Sequence, residues 1–240
     1  SGEANHKVIH FVRHGHAYHN MISDLCLEMG RKISWTTAKP GEDNPYCRTE
    51  LVDAPLTERG REQARQLQTA ASKINPELIV VSPLARATQT ALIAFARLVD
   101  GHFTEVPFLA HEGCRELAGI CSSEKRRSLA ELRREFPAIN YGATRMPELD
   151  ELWQEKEREQ LKDLVGRCYE LMLWIRARPE RSIVVVSHAA WLFTLFHTVM
   201  DCEEEDHKLA FRTGELRSLM VAFEDVDESD DAAVKRQRTA

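Results

Sequence analysis

Apolar residues in this chain gather in short blocks. Val8, Ile9, Phe11 and Val12 form the first, with His10 among them; Leu78 through Val81 form the second and Ile183 through Val186 the third. Blocks of this length without polar alternation predict strands covered on both faces of a sheet. Extended runs over 104–110 and 216–223 predict two more strands. Helical spacing fills the intervals. Thr57 reads as an N-cap with Glu58 in the first turn, and Gly60, Ala64, Leu67, Ala71 and Ile74 give that helix a packing face. A second helix is predicted over 84–99, closed by Gly101, and a polar one from Glu124 to Phe136, ended by Pro137. Leu161, Leu164, Val165, Cys168, Leu171, Met172 and Ile175 mark a long amphipathic helix that stops near Pro179, and a last helix falls at 189–199. Strands alternating with helices predict an α/β fold: a three-layer α/β/α sandwich with a mainly parallel central sheet.

Residues 21–55 interrupt the alternation. Gly30, Pro40-Gly41, Asn44-Pro45 and Pro55 punctuate them as an irregular insertion in a domain spanning 6–223, a loop length that goes with function. The tail at 224–240 is acidic, then basic at Lys235-Arg236-Gln237-Arg238, a composition that predicts disorder. A chain of 240 residues, 43% hydrophobic and 29% charged, suits a globular domain with a sizeable core. The formal charge of -6 argues against nucleic-acid partners, although a positive pocket can exist inside an acidic protein. No apolar stretch reaches the roughly 18 residues of a membrane helix, and the polar start, Ser1 to Asn5, does not read as a signal peptide. Six scattered cysteines without a Cys-x-x-Cys pair predict reduced thiols in a cytoplasmic protein.

The three apolar blocks each end on anion-handling residues. The first runs into Arg13-His14-Gly15-His16, the second into Ser82-Pro83-Leu84-Ala85-Arg86, the third into Ser187-His188. Ligands of open α/β sheets sit beyond the carboxyl ends of the strands, so neighbouring strands would bring two arginines and two histidines together. Arginine forks bind phosphate oxygens bidentately and stay charged. A neutral imidazole beside them can attack phosphorus, and an imidazolium can donate to the oxygens. Flanking arginines keep a nucleophilic ring neutral.

Arg13-His14-Gly15 with Asn20 resembles the signature of the histidine phosphatase (phosphoglycerate mutase-like) superfamily. The likeness continues in order through Leu56-Thr57, Gly60 and Gln63-Ala64, through Ser82-Pro83-Leu84, Arg86-Ala87 and Gln89-Thr90-Ala91, to Ser187-His188. This resemblance implies a phosphoglycerate mutase-like fold, a phosphohistidine intermediate on His14, phosphoryl oxygens held by Arg13, Arg86 and His188 with help from Asn20, and no metal or other cofactor. It also implies a carboxylic acid after the third strand; Glu116 matches best, with Glu112 in reserve. The implied substrate is a phosphorylated small molecule or phosphopeptide. Three departures separate the chain from mutases proper: His16 where Glu or Gln is usual, Ala189 after the late histidine, and Cys114-Arg115-Glu116-Leu117-Ala118-Gly119 in place of a Glu-Arg-His-Tyr-Gly block. They favour a metal-independent phosphomonoester hydrolase over a mutase, and the intact residue set argues against a non-catalytic binding module.

Blander assignments cover the remaining features. His10, His14, His16 and His19 lack an acidic companion for a metal, and His16 and His19 read as loop residues near the entrance. His102, His111, His197 and His207 read as structural or exposed. Cys121 to Arg127 fits the Cys-x5-Arg spacing of cysteine phosphatases, but without the glycine-rich loop that chemistry needs. Lys125, Arg126, Arg127, Arg133 and Arg134 read as a solvated face, with a role at the pocket rim as the sharper alternative. Trp153 reads as packing rather than a pocket cap.

Overall fold

A computed structural model of the chain describes residues 5–31 and 44–224. Its central sheet has strands β1 (Asn5–Arg13), β2 (Leu78–Val81), β5 (Phe108–Ala110), β6 (Ser182–Ser187) and β7 (Leu216–Phe223); β3 (Val99–Asp100) and β4 (Phe103–Thr104) pair separately as a small hairpin. The sheet order is β5-β2-β6-β1-β7, with the first four strands parallel and β7 antiparallel at the edge. The mainly parallel sheet inferred from the apolar blocks is therefore observed. Register fixes the site: Arg13 is level with Ser187 across β1 and β6, and Val81 with Val186 across β2 and β6. The hydrogen bonds run one residue further, from His14 N to Ser187 O and from Ser82 N to Val186 O. Three strand ends are thus stitched together where the chemistry-bearing residues begin.

Alternate side chains feed two cores. Ile9, Phe11, Leu78, Val80, Ile183 and Val185 face α5 (Leu161–Ala177) and α6 (Ala189–Thr194), while Val12, Ile79, Val81, Val184 and Val186 face α2 (Glu58–Ala71), α3 (Ala85–Ala94) and α4 (Leu129–Glu135). This is the three-layer sandwich. Helix α5 has no side-chain cap at Gln160. Its buried face of Leu164, Cys168, Leu171, Met172 and Ile175 holds it instead, at about 1.5–3 kcal/mol for each large side chain against about 1 for a cap. Leu161, which the periodicity includes in that face, is exposed.

Several boundaries differ from the pattern-based reading. The 21–55 segment is not irregular throughout, because helix α1 (Tyr18–Glu28) occupies its first part and short turns lie at Pro45–Cys47 and Thr49–Leu51. Residues 32–43 of that insertion and the tail from 225 lie outside the described residues. Helix α3 ends at Ala94 with Phe95 as its C-cap, and Gly101 (φ +59°) belongs to the β3–β4 turn. The run at 104–110 splits around Pro107 into β4 and β5. The helix expected from Glu124 starts only at Leu129. Ser128 stops it there with a reciprocal cap: its Oγ accepts from Glu131 N while Glu131 Oε2 accepts from Ser128 N. The last helix switches after Thr194 to a wider five-residue turn, Leu195–Val199.

Candidate active site

The loop after β1 is shaped by α2. A Cβ on Gly15 would lie 2.5 Å from Gly60 O, and one on Gly60 would lie 1.9 Å from His16 O, so the two backbones approach as only glycines permit. Thr57 caps α2 through Gly60 N and also hydrogen-bonds the His16 ring and carbonyl. Gln63 Oε1 accepts from His16 N, Gln89 Oε1 accepts from Leu56 N, and Thr90 Oγ1 accepts from Gly15 N while donating to Arg86 O. The spacing of these blocks therefore has a mechanical basis: the side chains fix the backbone around His14.

His14 is buried, and its Nδ1 lies 2.7 Å from Gly15 O. A carbonyl only accepts, so Nδ1 carries the proton and Nε2 presents a lone pair. Arg86 Nε lies 3.3 Å from that Nε2, and Arg86 Nη1 donates to Ser123 O at 2.6 Å. Burial, the Arg86 charge, His19 and Arg13 hold the His14 pKa well below the usual 6.5. Arg13 donates from Nη1 to Phe211 O at 2.6 Å, and among the described residues its Nε has no partner. The His188 ring lies 5.0 Å from that of His14, with Nε2 2.7 Å from Ser82 Oγ and Nδ1 buried without a partner among the described residues. Burial and Arg86 also lower the His188 pKa well below its usual value.

These groups meet at a cavity of about 310 Å³ whose walls include Arg13, His14, Asn20, Arg86 and Glu116. His188 sits just behind the wall, which Ala189 completes. Asn20 uses Oδ1 to accept from Ala17 N at the start of α1, which leaves its N–H donors for a ligand. Glu116 Oε1 is anchored by three backbone donors, Leu117 N, Ala190 N and Trp191 N at 3.0, 3.0 and 3.3 Å; Oε2 makes only a 3.4 Å contact to Ala190 N. One oxygen is pinned at the start of α6, and the other is the less engaged of the two. Glu112 is not on the cavity wall, because its two oxygens are spent on Arg115 and Arg126 at 2.7 and 2.6 Å.

The basic cluster is structural rather than a rim. Arg126 is buried on Glu112 and on the carbonyls of Pro147 and Leu149, Arg127 bridges Asp53 and Glu135, and Arg133 pairs with Glu148. Trp153 stacks under Lys125 and donates to Cys121 O, away from the cavity wall. The Cys121 thiol is pushed up to about 12 by burial, opposite to what a thiolate nucleophile requires. Among the described residues no His, Cys, Asp and Glu group could hold a metal ion. His10 bonds Ser218 and Ser182 within the sheet, and His111 packs on Trp174.

Among the residues that went unrecognised in the sequence as parts of this site, four shape it most directly. His19 is not a loop residue: it lies in the first turn of α1, with its ring 5.6 Å from His14 and facing the cavity. Ser82 lies within the second motif block but shows its role only through His188. Asp53, at φ +48°, accepts from Ala85 N and so ties the start of α3, which carries Arg86, to Arg127. Glu124 reaches the cavity from a 3-10 turn, paired with Arg158 at 2.5 Å, and burial pushes its carboxyl up to about 8.

Comparison with known proteins bears on the family and the fold. The chain is 31% identical over 245 residues to a "Phosphoglycerate mutase-like protein" of Arabidopsis thaliana, covering 90% of this chain and 84% of the relative. Among solved structures it is similar to the ecdysone phosphate phosphatase of Bombix mori (TM-score 0.56, 13% identity, covering 91% and 92% of the two chains). The alpha-ribazole phosphatase of Shigella flexneri superimposes with a TM-score of 0.53 at 20% identity, covering 88% and 89%. At such identities these two attest the fold alone. The profile of the histidine phosphatase superfamily (branch 1) matches residues 43–224. With three quarters of its length matched and the signature histidine set at the converging strand ends, the chain belongs to the histidine phosphatase superfamily, branch 1.

Proposed function

We propose that the chain is a metal-independent phosphomonoester hydrolase that works through a phosphohistidine on His14. The observation that carries this reading is the Nδ1–Gly15 hydrogen bond, which leaves the Nε2 lone pair facing Arg86 Nε, where burial and the Arg86 charge disfavour its protonation. Nε2 attacks phosphorus in line as the bond to the leaving oxygen breaks, and Glu116 gives its proton to that oxygen. Water then loses a proton to the Glu116 carboxylate and attacks the phosphohistidine, releasing phosphate and neutral His14. Arg13, Arg86 and His188 hold the phosphoryl oxygens, and Asn20 adds an amide donor. For Nδ1 of His188 to donate, Ser82 Oγ–H must donate to Nε2, so Ser82 selects the working tautomer.

The substrate class is a phosphorylated small molecule or phosphopeptide, and the buried, high-pKa thiols Cys114 and Cys168 suit a reducing, cytoplasmic setting. A mutase reading draws on the name of the Arabidopsis relative; it requires the phosphohistidine to survive until a second hydroxyl accepts it. Both are tested with an aryl phosphate and a phosphoglycerate in the presence of a chelator. Phosphate release with an acid-labile, alkali-stable phosphoenzyme supports hydrolysis. Transfer between phosphoglycerate positions faster than release makes it a mutase, and no turnover of any phosphate ester leaves only a binding module.

A further inference from the structure

His19 occupies a position in the cavity that a packing role does not account for. Its ring belongs to the first turn of α1, lies 5.6 Å from the His14 ring at an interplanar angle of 60°, and forms part of the cavity wall. Its Nδ1 is buried, and among the described residues nothing bonds it. Other histidines away from the phosphate-facing set do find partners: buried His10 has Ser218 and Ser182, buried His16 has Thr57 and Asp24, and half-buried His111 accepts from Gly113 N. A buried nitrogen left without a partner costs free energy that a purely structural aromatic would avoid.

The same condition recurs at Arg13 Nε, which also belongs to a residue of the cavity wall. Two nitrogens of neighbouring elements are therefore left without a partner, among the described residues, in side chains that line one cavity. Burial with the Arg86 and Arg13 charges holds the His19 pKa well below its usual value, so the neutral ring offers one N–H donor and one lone pair. Other charged groups facing the cavity are Asp24 and Arg59, which pair with each other, and Glu116 and Glu124. A lone pair does not bind an anion. An Nδ1–H does, and a phosphoryl group brings three terminal oxygens with more acceptor capacity than Arg13, Arg86 and His188 consume.

We propose that His19 is a further substrate-binding residue, donating Nδ1–H to a terminal oxygen of the phosphoryl group as it transfers to Nε2 of His14. The inference rests on the phosphoryl-transfer reading of the site and adds a contact that reading does not need.

The test compares His19→Phe, which keeps the ring and removes both nitrogens, with His19→Asn, whose amide can place a donor near the Nδ1 position. Orthovanadate binding is measured by calorimetry and by the rise in Tm that it causes. The Phe variant is expected to bind orthovanadate about ten- to a hundredfold more weakly, the range of one lost hydrogen bond to a charged group. Its ligand-free Tm should be unchanged or higher, because a buried unpaired nitrogen is gone. The Asn variant should recover most of the affinity. Wild-type orthovanadate affinity in the Phe variant overturns the proposal, as does an Asn variant as weak as Phe. A fall in ligand-free Tm with an unchanged orthovanadate affinity would mark His19 as structural and also overturn it. Failure of the wild type itself to bind orthovanadate or form a phosphoenzyme strikes at the phosphoryl-transfer reading, and is thereby distinguished from failure at His19 alone.

Discussion

Arg13, His14 and Arg86 enter the cavity from a strand end or the first turn of a helix, each within a few residues of an apolar block. Glu124, Ser123, Tyr46 and Asp24 enter it from short turns and from α1, separated along the chain by as many as 100 residues. The two walls are held differently. The inner wall rests on sheet register and on small motif side chains such as Thr57, Gln63 and Thr90 that bond its backbone. The outer wall rests on buried ions. Arg115 donates to Asp150, Glu112 and the Glu124 carbonyl, while Arg167 holds Glu159 and the Glu116 carbonyl. A strand end is a rigid platform for positioning a nucleophile. An ion network holds the outer wall through side chains rather than through strand register, so the two walls can be perturbed separately.

The comparison predicts separable losses. His14→Ala should cost about four orders of magnitude or more in turnover and abolish the phosphoenzyme; a trapped phosphoenzyme undiminished in that variant would refute the assignment of the nucleophile. Glu116→Gln should slow alkyl phosphates by about 10²–10⁴-fold, with a much smaller loss on aryl phosphates whose leaving oxygen needs no proton. Equal losses on both would move the acid elsewhere, and Glu124 would be examined before Glu112, which has no oxygen to spare. Arg115→Met strips Asp150 of its cation and Glu112 of one of its two and should destabilise the fold by about 3–5 kcal/mol in urea titrations. If phosphoenzyme formation at saturating aryl phosphate survives in that variant under native conditions, the walls are independent; if it is lost, the inner wall leans on the outer one.

Legibility followed the same division. The apolar blocks announced β1, β2 and β6, and the residues that follow them announced Arg13, His14, Arg86 and His188, because strand geometry and motif spacing are local properties of sequence. Glu116 was reachable only through the family resemblance, which implies an acid after the third strand and leaves Glu112 in reserve. Glu124, Asp53 and Arg115 were not, because nothing local marks a carboxylate or guanidinium that will be buried; its partner lies 35 residues away in the Arg115–Asp150 pair and 74 in Asp53–Arg127. The helix expected from Glu124 failed for a related reason. Its first turn is consumed in placing Ser123 O against Arg86 and Glu124 against Arg158, and the helix begins only after Ser128 caps it. His19 shows a third kind of opacity. It lies inside the signature spacing, yet only the start of α1 at Tyr18 turns its ring toward His14.

Removing a single hydroxyl tests how finely the inner wall is tuned. Ser82→Ala releases Nε2 of His188 from its 2.7 Å partner and lets the ring take the tautomer whose Nδ1 cannot donate. A fall of about tenfold in kcat/KM is expected, the size of one hydrogen bond. An unchanged kcat/KM would mean that Ser82 does not select the tautomer.

The smallest effect per unit change is in the pH dependence of stability, where the two walls should pull in opposite directions. His14 and His188 are buried neutral, with folded pKa values well below the usual 6.5. Below that value the unfolded chain binds protons that the folded chain refuses, so stability falls as pH drops through 6.5, by up to about 1.4 kcal/mol per pH unit for each ring. Glu124 has the reverse sign. Its carboxyl, ordinarily near 4.5, is pushed up to about 8, so the folded chain holds a proton that the unfolded chain has released, and stability falls as pH rises through that window. Arg158 opposes this by favouring the carboxylate, which narrows the pH window over which Glu124 acts. Urea midpoints measured between pH 5 and 8 should therefore separate the walls: His188→Asn relieves the loss on the acid side, and Glu124→Gln relieves the loss on the alkaline side. An offset in either variant that stays constant across pH would mean that the group does not change its protonation on unfolding, and for Glu124 that Arg158 holds it ionised throughout.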